Sequence, residues 1–210
     1  MKEIIIVGAS GFGRELLQMI KDINKVESKW IIKGFIDDDL TALENYECDY
    51  KILGKISEWQ PSENEVFALG IANPVTKEKI ANSLLSRNAV FESIIHPRAF
   101  IDSFNKVGIG IVMYPGSRIG VNAVVGDYVT LLSSGIGHDA CVGDFTTISS
   151  YCGISGKVKI GKKVFISSHC VIIPSKKIGD NAFIGAGSIV INNVKPGAKV
   201  FGNPAKKIDL

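Results

Sequence analysis

A run of aliphatic residues at six-residue intervals constrains this chain more than any other feature. Val142, Ile148, Ile154, Ile160, Ile166, Ile172, Ile178, Ile184 and Val190 follow one another in sixes. The ladder extends backward through Ile101, Val107, Met113, Ile119, Val125 and Leu131, with one slip: Ile136 lies five residues after Leu131. A period of six is neither that of a helix nor simple strand alternation, so a repeat architecture comes first. Three sides of six residues close one coil, and stacked coils bury an aliphatic column at each edge. Eight of the sixteen ladder residues are followed by glycine: Gly108, Gly120, Gly126, Gly137, Gly143, Gly161, Gly179 and Gly185. Corners need positive φ or close backbone approach, and glycine supplies either. Four residues after the ladder positions stand Ala123, Val129, Ala140, Thr146, Cys152, Val158, Val164, Cys170, Ala182 and Ser188, which suit a narrow interior. Packing therefore accounts for Cys152 and Cys170. The ladder predicts a parallel β-solenoid.

The residues before the ladder follow another pattern. Ile4-Ile5-Ile6-Val7 is a β-branched run, the signature of a buried parallel strand. It enters Gly8-Ala9-Ser10-Gly11-Phe12-Gly13, then a helical stretch from Arg14 to Ile20. A second strand, Ile31 to Ile36, ends in Asp37-Asp38-Asp39, and a third, Val66 to Leu69, ends in Gly70. Pro74 opens a second helix, Val75 to Leu85. These strand ends gather at one edge of a small parallel sheet, where ligands bind in open α/β folds. The G-x-x-G-x-G turn permits either close approach of a phosphate or sugar, or only tight helix–strand contact. Asp37 to Asp39 reads either as a ribose-binding strand end or as a solvated turn. About ninety residues hold one mononucleotide-sized half-site, short of the two halves of a dinucleotide fold. The expected organisation is an α/β, Rossmann-like half-domain over 1–92, a parallel β-helix over 93–198 and a tail over 199–210. Val90 to Ile95 reads as the connecting strand, ended by His96-Pro97.

Composition narrows the function. The 210 residues carry a net charge of +3, and no basic run exceeds two residues, which gives no argument for nucleic acid or an anionic membrane. Four cysteines without CxxC spacing fit reduced thiols of a cytoplasmic protein. The N-terminus has no signal-peptide pattern, and no stretch is long enough for a membrane span. Of three histidines, His96 reads as structural at the junction and His169 as an outward residue of the solenoid. His138 stands beside the slip and is followed by Asp139, so it is either a general base or a histidine on a surface loop. The slip itself predicts a bulge that lifts His138 and Asp139 off the solenoid wall. A three-histidine metal site is disfavoured: the histidines are separated by 42 and 31 residues. No serine or cysteine has a base beside it, so none reads as an activated nucleophile.

The order Gly8-Ala9-Ser10-Gly11-Phe12-Gly13, Phe35-Ile36-Asp37-Asp38, Ile95-His96-Pro97, Gly137-His138-Asp139 and Gly202-Asn203-Pro204-Ala205 resembles hexapeptide-repeat sugar acetyltransferases, nearly end to end. These are the sialic acid O-acetyltransferases and nucleotide-amino-sugar N-acetyltransferases. The resemblance implies that the solenoid is a left-handed β-helix. It implies His138 as general base and Asp139 as its orienting acid, in place of the glutamate common in relatives. It implies acetyl-CoA as co-substrate, held at Thr147, Ser168 and Ala186 between two subunits of a homotrimer. Thr147 stands where some relatives have histidine. Ser10, Gly11, Phe12, Asp37, Asp38 and Gly70 are the implied contacts to the nucleotide-sugar acceptor, with Phe12 replacing a common histidine. Lys206 and Lys207 pair with coenzyme phosphates or are simply solvated. A backbone N–H near Gly153 or Gly156 is the expected oxyanion donor. The implied reaction is N-acetylation of a nucleotide-linked 4-amino-4,6-dideoxy sugar, without metal, in bacterial surface glycan synthesis. The alternatives are O-acetylation of a sialic acid or similar sugar, and a non-catalytic sugar-nucleotide binding protein.

Overall fold

The computed structural model describes residues 1–208 and divides into two compact units, Met1–Pro97 and Arg98–Leu210. In the first unit, β1 (Lys2–Val7) is flanked by β2 (Trp30–Ile36) and β3 (Glu65–Leu69), all parallel, in the order β2-β1-β3. Ile4 to Val7 are wholly buried, as a central parallel strand demands. Helix α1 (Gly11–Val26) buries Gly13, Leu16, Leu17, Ile20 and Ile23, an i, i+3, i+4, i+7 stripe. It begins three residues earlier than the apolar pattern indicated, inside the Gly-rich turn. Helix α2 (Pro74–Leu85) starts at its proline, and the Asn73 side chain caps it by accepting from Thr76 N–H at 3.0 Å. The expected strand from Val90 to Ile95 is mostly irregular: Phe91 makes one bridge to Phe67, and only Ile94–Ile95 is strand.

The second unit is a solenoid of two-residue strands on three parallel faces, a left-handed β-helix of about six turns. The first face carries 112–113, 130–131, 147–148, 165–166, 183–184 and 199–201. The second carries 100–101, 118–119, 135–136, 153–154, 171–172 and 189–190. The third carries 106–107, 124–125, 141–142, 159–160 and 177–178. From Met113 on, all fourteen ladder residues are buried; Ile101, in the first coil, is 41% exposed. The last residues continue this architecture: 199–201 joins the first face and pairs antiparallel with Lys206–Lys207.

Two expectations about the corners need correction. The glycines that follow ladder residues do not adopt positive φ. They permit close stacking: a Cβ at Gly137 would lie 2.7 Å from Gly156 N, and one at Gly143 would lie 2.6 Å from the carbonyl carbon of Gly161. Positive φ falls two residues later in the corner, at Asn122, Asp139, Phe145, Lys157, His169 and Asn181 among others. The register slip produces no bulge at His138. It is absorbed upstream, where the corner between Leu131 and Gly135 has three residues, against four between Ile148 and Gly153. Ser134 stands at the end of the short corner and bonds as Thr146 does in a regular one. Its buried Oγ lies 2.6 Å from Ser149 O and accepts from Cys152 N–H at 2.8 Å, bonding the corner to the coil that follows. Beyond it the coil continues unbroken, with Gly137 N–H on Ile154 O at 2.7 Å and Asp139 N–H on Val121 O at 3.0 Å.

Candidate active site

His138 and Asp139 occupy the corner between the second and third faces, two residues after Ile136 turns inward. Asp139 adopts φ +58°, a left-handed conformation that aspartate tolerates better than most residues. That conformation brings its carboxylate to its neighbour: Nδ1 of His138 and Oδ2 of Asp139 are 2.8 Å apart. The short aspartate arm therefore suffices. A carboxylate only accepts, so Nδ1 is the donor, and the neutral ring then keeps its lone pair on Nε2. The hydrogen bond from His138 holds the Asp139 carboxyl below the usual carboxylate range. The Lys157 ammonium and the Asn122 amide act in the same direction. Asn122, Asp139 and Lys157 are equivalent left-handed corner residues in three successive coils. Asn122 and Lys157 were missed in the sequence, although Lys157 stands one eighteen-residue coil after Asp139 and Asn122 one coil before it, shortened by the slip to seventeen.

The other half of the imidazole faces the next coil. A Cβ on Gly156 would lie 2.5 Å from His138 Nε2 and 2.6 Å from its Cε1. Gly156 therefore leaves the space into which the ring edge fits. The Gly156 N–H has no acceptor among the described residues, whereas Gly153 N–H is already bonded to Cys170 O at 2.9 Å. Of the two expected oxyanion donors, only Gly156 is uncommitted. An open groove of about 510 Å³ runs along the second face at His138, bordered by Asp102, Arg118, Gly135, Gly153, Ser155 and Val171.

The implied coenzyme residues lie on three successive coils, along the first face and the corner that follows it. Ser168 and Ala186 occupy equivalent corner positions, half-buried and exposed, in adjacent coils. Thr147 lies on the first face and is fully buried, so its side chain offers nothing to a ligand arriving from solvent. The other histidines keep structural surroundings. His96 is buried with Nε2 3.7 Å from Asp22 Oδ2, and His169 packs its ring 5.2 Å from that of Tyr151. Cys152 and Cys170 are buried, with Sγ donating to Ser167 O at 3.0 Å and Gly185 O at 3.1 Å. Among the described residues, no group of three His, Cys, Asp or Glu is placed to hold a metal ion.

The residues implied for the acceptor gather at one edge of the β2-β1-β3 sheet. Ser10 is the N-cap of α1, and its hydroxyl makes no capping bond. Gly11 borders open space: a Cβ there would have only Arg14 Nη2 within 4 Å, at 3.9 Å. Gly13 and Gly70 have another task. A Cβ at Gly13 would sit 1.9 Å from Gly8 O, and one at Gly70 would sit 2.8 Å from Gly13 Cα. Close helix–strand contact requires glycine at both positions, whereas Gly11 borders open space. Asp37 Oδ2 accepts from Ala9 N–H at 2.7 Å, which ties the Gly-rich turn to the end of β2. Asp38 accepts from Ser57 N–H at 3.0 Å and Ser57 Oγ at 2.9 Å, and the Ser57 N–H bond holds its carboxyl below the usual range. Both acids shape the rim of the site. Phe12 is half-buried beside Gly11.

The fold and this corner define a class: a half-Rossmann unit joined to a left-handed β-helix that carries a His–Asp pair on one edge. Residues 3–84 match the PglD N-terminal domain family. Solved structures share the architecture of nearly the whole chain. The acetyltransferase domain of PglB from Neisseria gonorrhoeae superposes with a TM-score of 0.90 at 20% identity, covering 99% of this chain and 100% of that one. PerB from Caulobacter crescentus, solved with CoA and GDP-perosamine, gives 0.89 at 18% identity over 100% and 98%. WeeI from Acinetobacter baumannii gives 0.80 at 24% identity over 99% and 100%. No curated protein sequence matches the chain.

Proposed function

We propose that the protein transfers an acetyl group from acetyl-CoA to the amine of a nucleotide-linked 4-amino-4,6-dideoxy sugar. The observation that carries this reading is the His138–Asp139 pair, whose Nε2 lone pair faces the Gly156 cradle at an open groove. The neighbours support it: PglB's domain has been solved with acetyl coenzyme A, and PerB with CoA and GDP-perosamine. The neutral amine attacks the thioester carbonyl carbon, and His138 Nε2 takes the proton that the new C–N bond releases. Asp139 supports the imidazolium from Nδ1. Gly156 N–H stabilises the oxyanion. The tetrahedral intermediate collapses, the C–S bond breaks, and the imidazolium returns a proton to the departing thiolate. Ser168 and Ala186 line the coenzyme's path, with Thr147 contributing only through its backbone. Ser10, Gly11, Phe12, Asp37 and Asp38 border the nucleotide. The working assembly is a homotrimer with each site between two subunits, which light scattering tests. Among the described residues no helix is long and apolar enough to cross a membrane.

The test is a thiol-release assay with acetyl-CoA and a panel of nucleotide amino sugars, run beside the corresponding hydroxyl sugars. Release with amines, abolished in His138→Ala while nucleotide binding persists, is expected. Release with hydroxyl sugars alone would replace N-acetylation by O-acetylation, and unchanged turnover in His138→Ala would remove the base.

A further inference from the structure

The outward positions of the second face are Phe100, Arg118, Gly135, Gly153, Val171 and Ile189, one per coil. Side chains stand at four of them and are missing at the two level with His138 and Gly156. Neither glycine is required by its surroundings. Neither has positive φ, and a Cβ at either would meet nothing within 4 Å. Glycine in a strand gives up conformational stability and a packing side chain. Here the backbone needs neither glycine, so what they provide is space. The bare stretch from Arg118 to Val171 covers three strand spacings, about 14 Å at ~4.8 Å each.

One end of that space is chemically specific. Arg118 Nε and Nη2 both bond the same oxygen, Asp102 Oδ2, at 3.1 and 2.7 Å. Among the described residues, Arg118 Nη1 and Asp102 Oδ1 have no side-chain partner. A cationic donor and a carboxylate acceptor thus stand side by side at the groove's end, on the opposite side of His138 from the coils of Ser168 and Ala186. Adjacent hydroxyls of a sugar need that combination, one accepting and one donating. A flat, side-chain-free floor suits the C–H face of a pyranose ring.

We infer that Gly135, Gly153 and the Asp102–Arg118 pair form the subsite for the acceptor's sugar ring, the glycines setting its size and the ion pair reading a vicinal diol. The inference rests on the acetyltransferase reading and names where its acceptor lies. The test compares Gly135→Val, Gly153→Val and Arg118→Met with the full-length wild-type protein, using acetyl-CoA and the best nucleotide amino sugar. Because the added groups enter open space, the valine variants keep the wild-type circular dichroism and melting temperature. KM for the acceptor rises by about tenfold or more in each, the effect of one or two misplaced methyl groups in a binding pocket, while KM for acetyl-CoA stays within about twofold. An acceptor deoxygenated at one diol position loses its discrimination in Arg118→Met. A rise in KM for acetyl-CoA instead, altered preference among longer acyl-CoAs, a changed oligomeric mass, or no change at all would each overturn the subsite. If the wild type acetylates no acceptor, the transferase reading fails. Calorimetric binding of the nucleotide sugar to wild type and Gly153→Val then decides the subsite separately, and equal affinities would overturn it.

Discussion

Gly156→Ala displaces the imidazole without removing it. The backbone at Gly156 accepts alanine, since its φ is not positive. The new Cβ would lie 2.5 Å from His138 Nε2, and ordinary contact begins at 3.4 Å, so the ring must retreat by about 0.9 Å. The His138 side chain is 59% exposed and free to swing outward, so stability changes little. Swinging outward strains the 2.8 Å bond to Asp139 and carries Nε2 away from the groove. A misplacement of about 1 Å at a reacting group costs on the order of 100-fold in rate. The complete loss of a general base costs roughly 100- to 10,000-fold. Gly156→Ala should therefore lower kcat by about 100-fold in the thiol-release assay, with little change in KM for acetyl-CoA. His138→Ala in the same background should then add little further loss, because the ring is already out of position. Wild-type kcat in Gly156→Ala, with the melting temperature unchanged, would refute the placement of the base.

Three further outcomes test the architecture. Ser134→Ala leaves the Cys152 N–H buried without its acceptor and should cost about 1–3 kcal/mol in urea unfolding; no loss would mean that the short corner does not depend on the hydroxyl. Cys152→Ser keeps a donor for Ser167 O and should keep full turnover in the thiol-release assay. A bond to Cys170 and burial hold the Cys152 thiol well above its usual range, so lost turnover in a folded variant would reopen thiol catalysis. Burial pushes Lys77 down to about 7, below its unfolded value near 10.5. Between these values the unfolded chain binds the extra proton, so stability rises with pH, by at most about 1.4 kcal/mol per pH unit. Lys77→Met should flatten that slope in unfolding experiments from pH 7 to 10, and an unchanged slope would remove Lys77 as its source.

The solenoid was legible because its core is periodic. Every ladder residue from Met113 onward does in the fold what its spacing says, and the interior cysteines pack as their positions require. The strand–turn–helix of the first unit was legible because β-branched runs and glycines have few alternatives there. What failed came from interactions that spacing does not encode. The slip between Leu131 and Ile136 was visible, but that a three-residue corner absorbs it, with no bulge at His138, shows only once the strands on each side are placed. The glycines after ladder residues satisfy two requirements in principle, and only the stacked coils show that close approach applies. Asp139 was identified from its neighbour in sequence. Gly156, Asn122 and Lys157 are neighbours one coil away, visible only after the coil length is fixed. The Gly-rich turn leaves two uses for its glycines open in sequence, and only the fold shows that Gly13 lets α1 pack closely against the sheet.

The central claim is that His138 accepts the proton when an amine on a nucleotide sugar takes an acetyl group. Mass spectrometry of the sugar after incubation with acetyl-CoA tests it directly, comparing wild type with His138→Ala at equal acetyl-CoA occupancy. The account predicts a singly N-acetylated nucleotide sugar from the wild type and none above background from the variant. Equal amounts of the same product from both would contradict it.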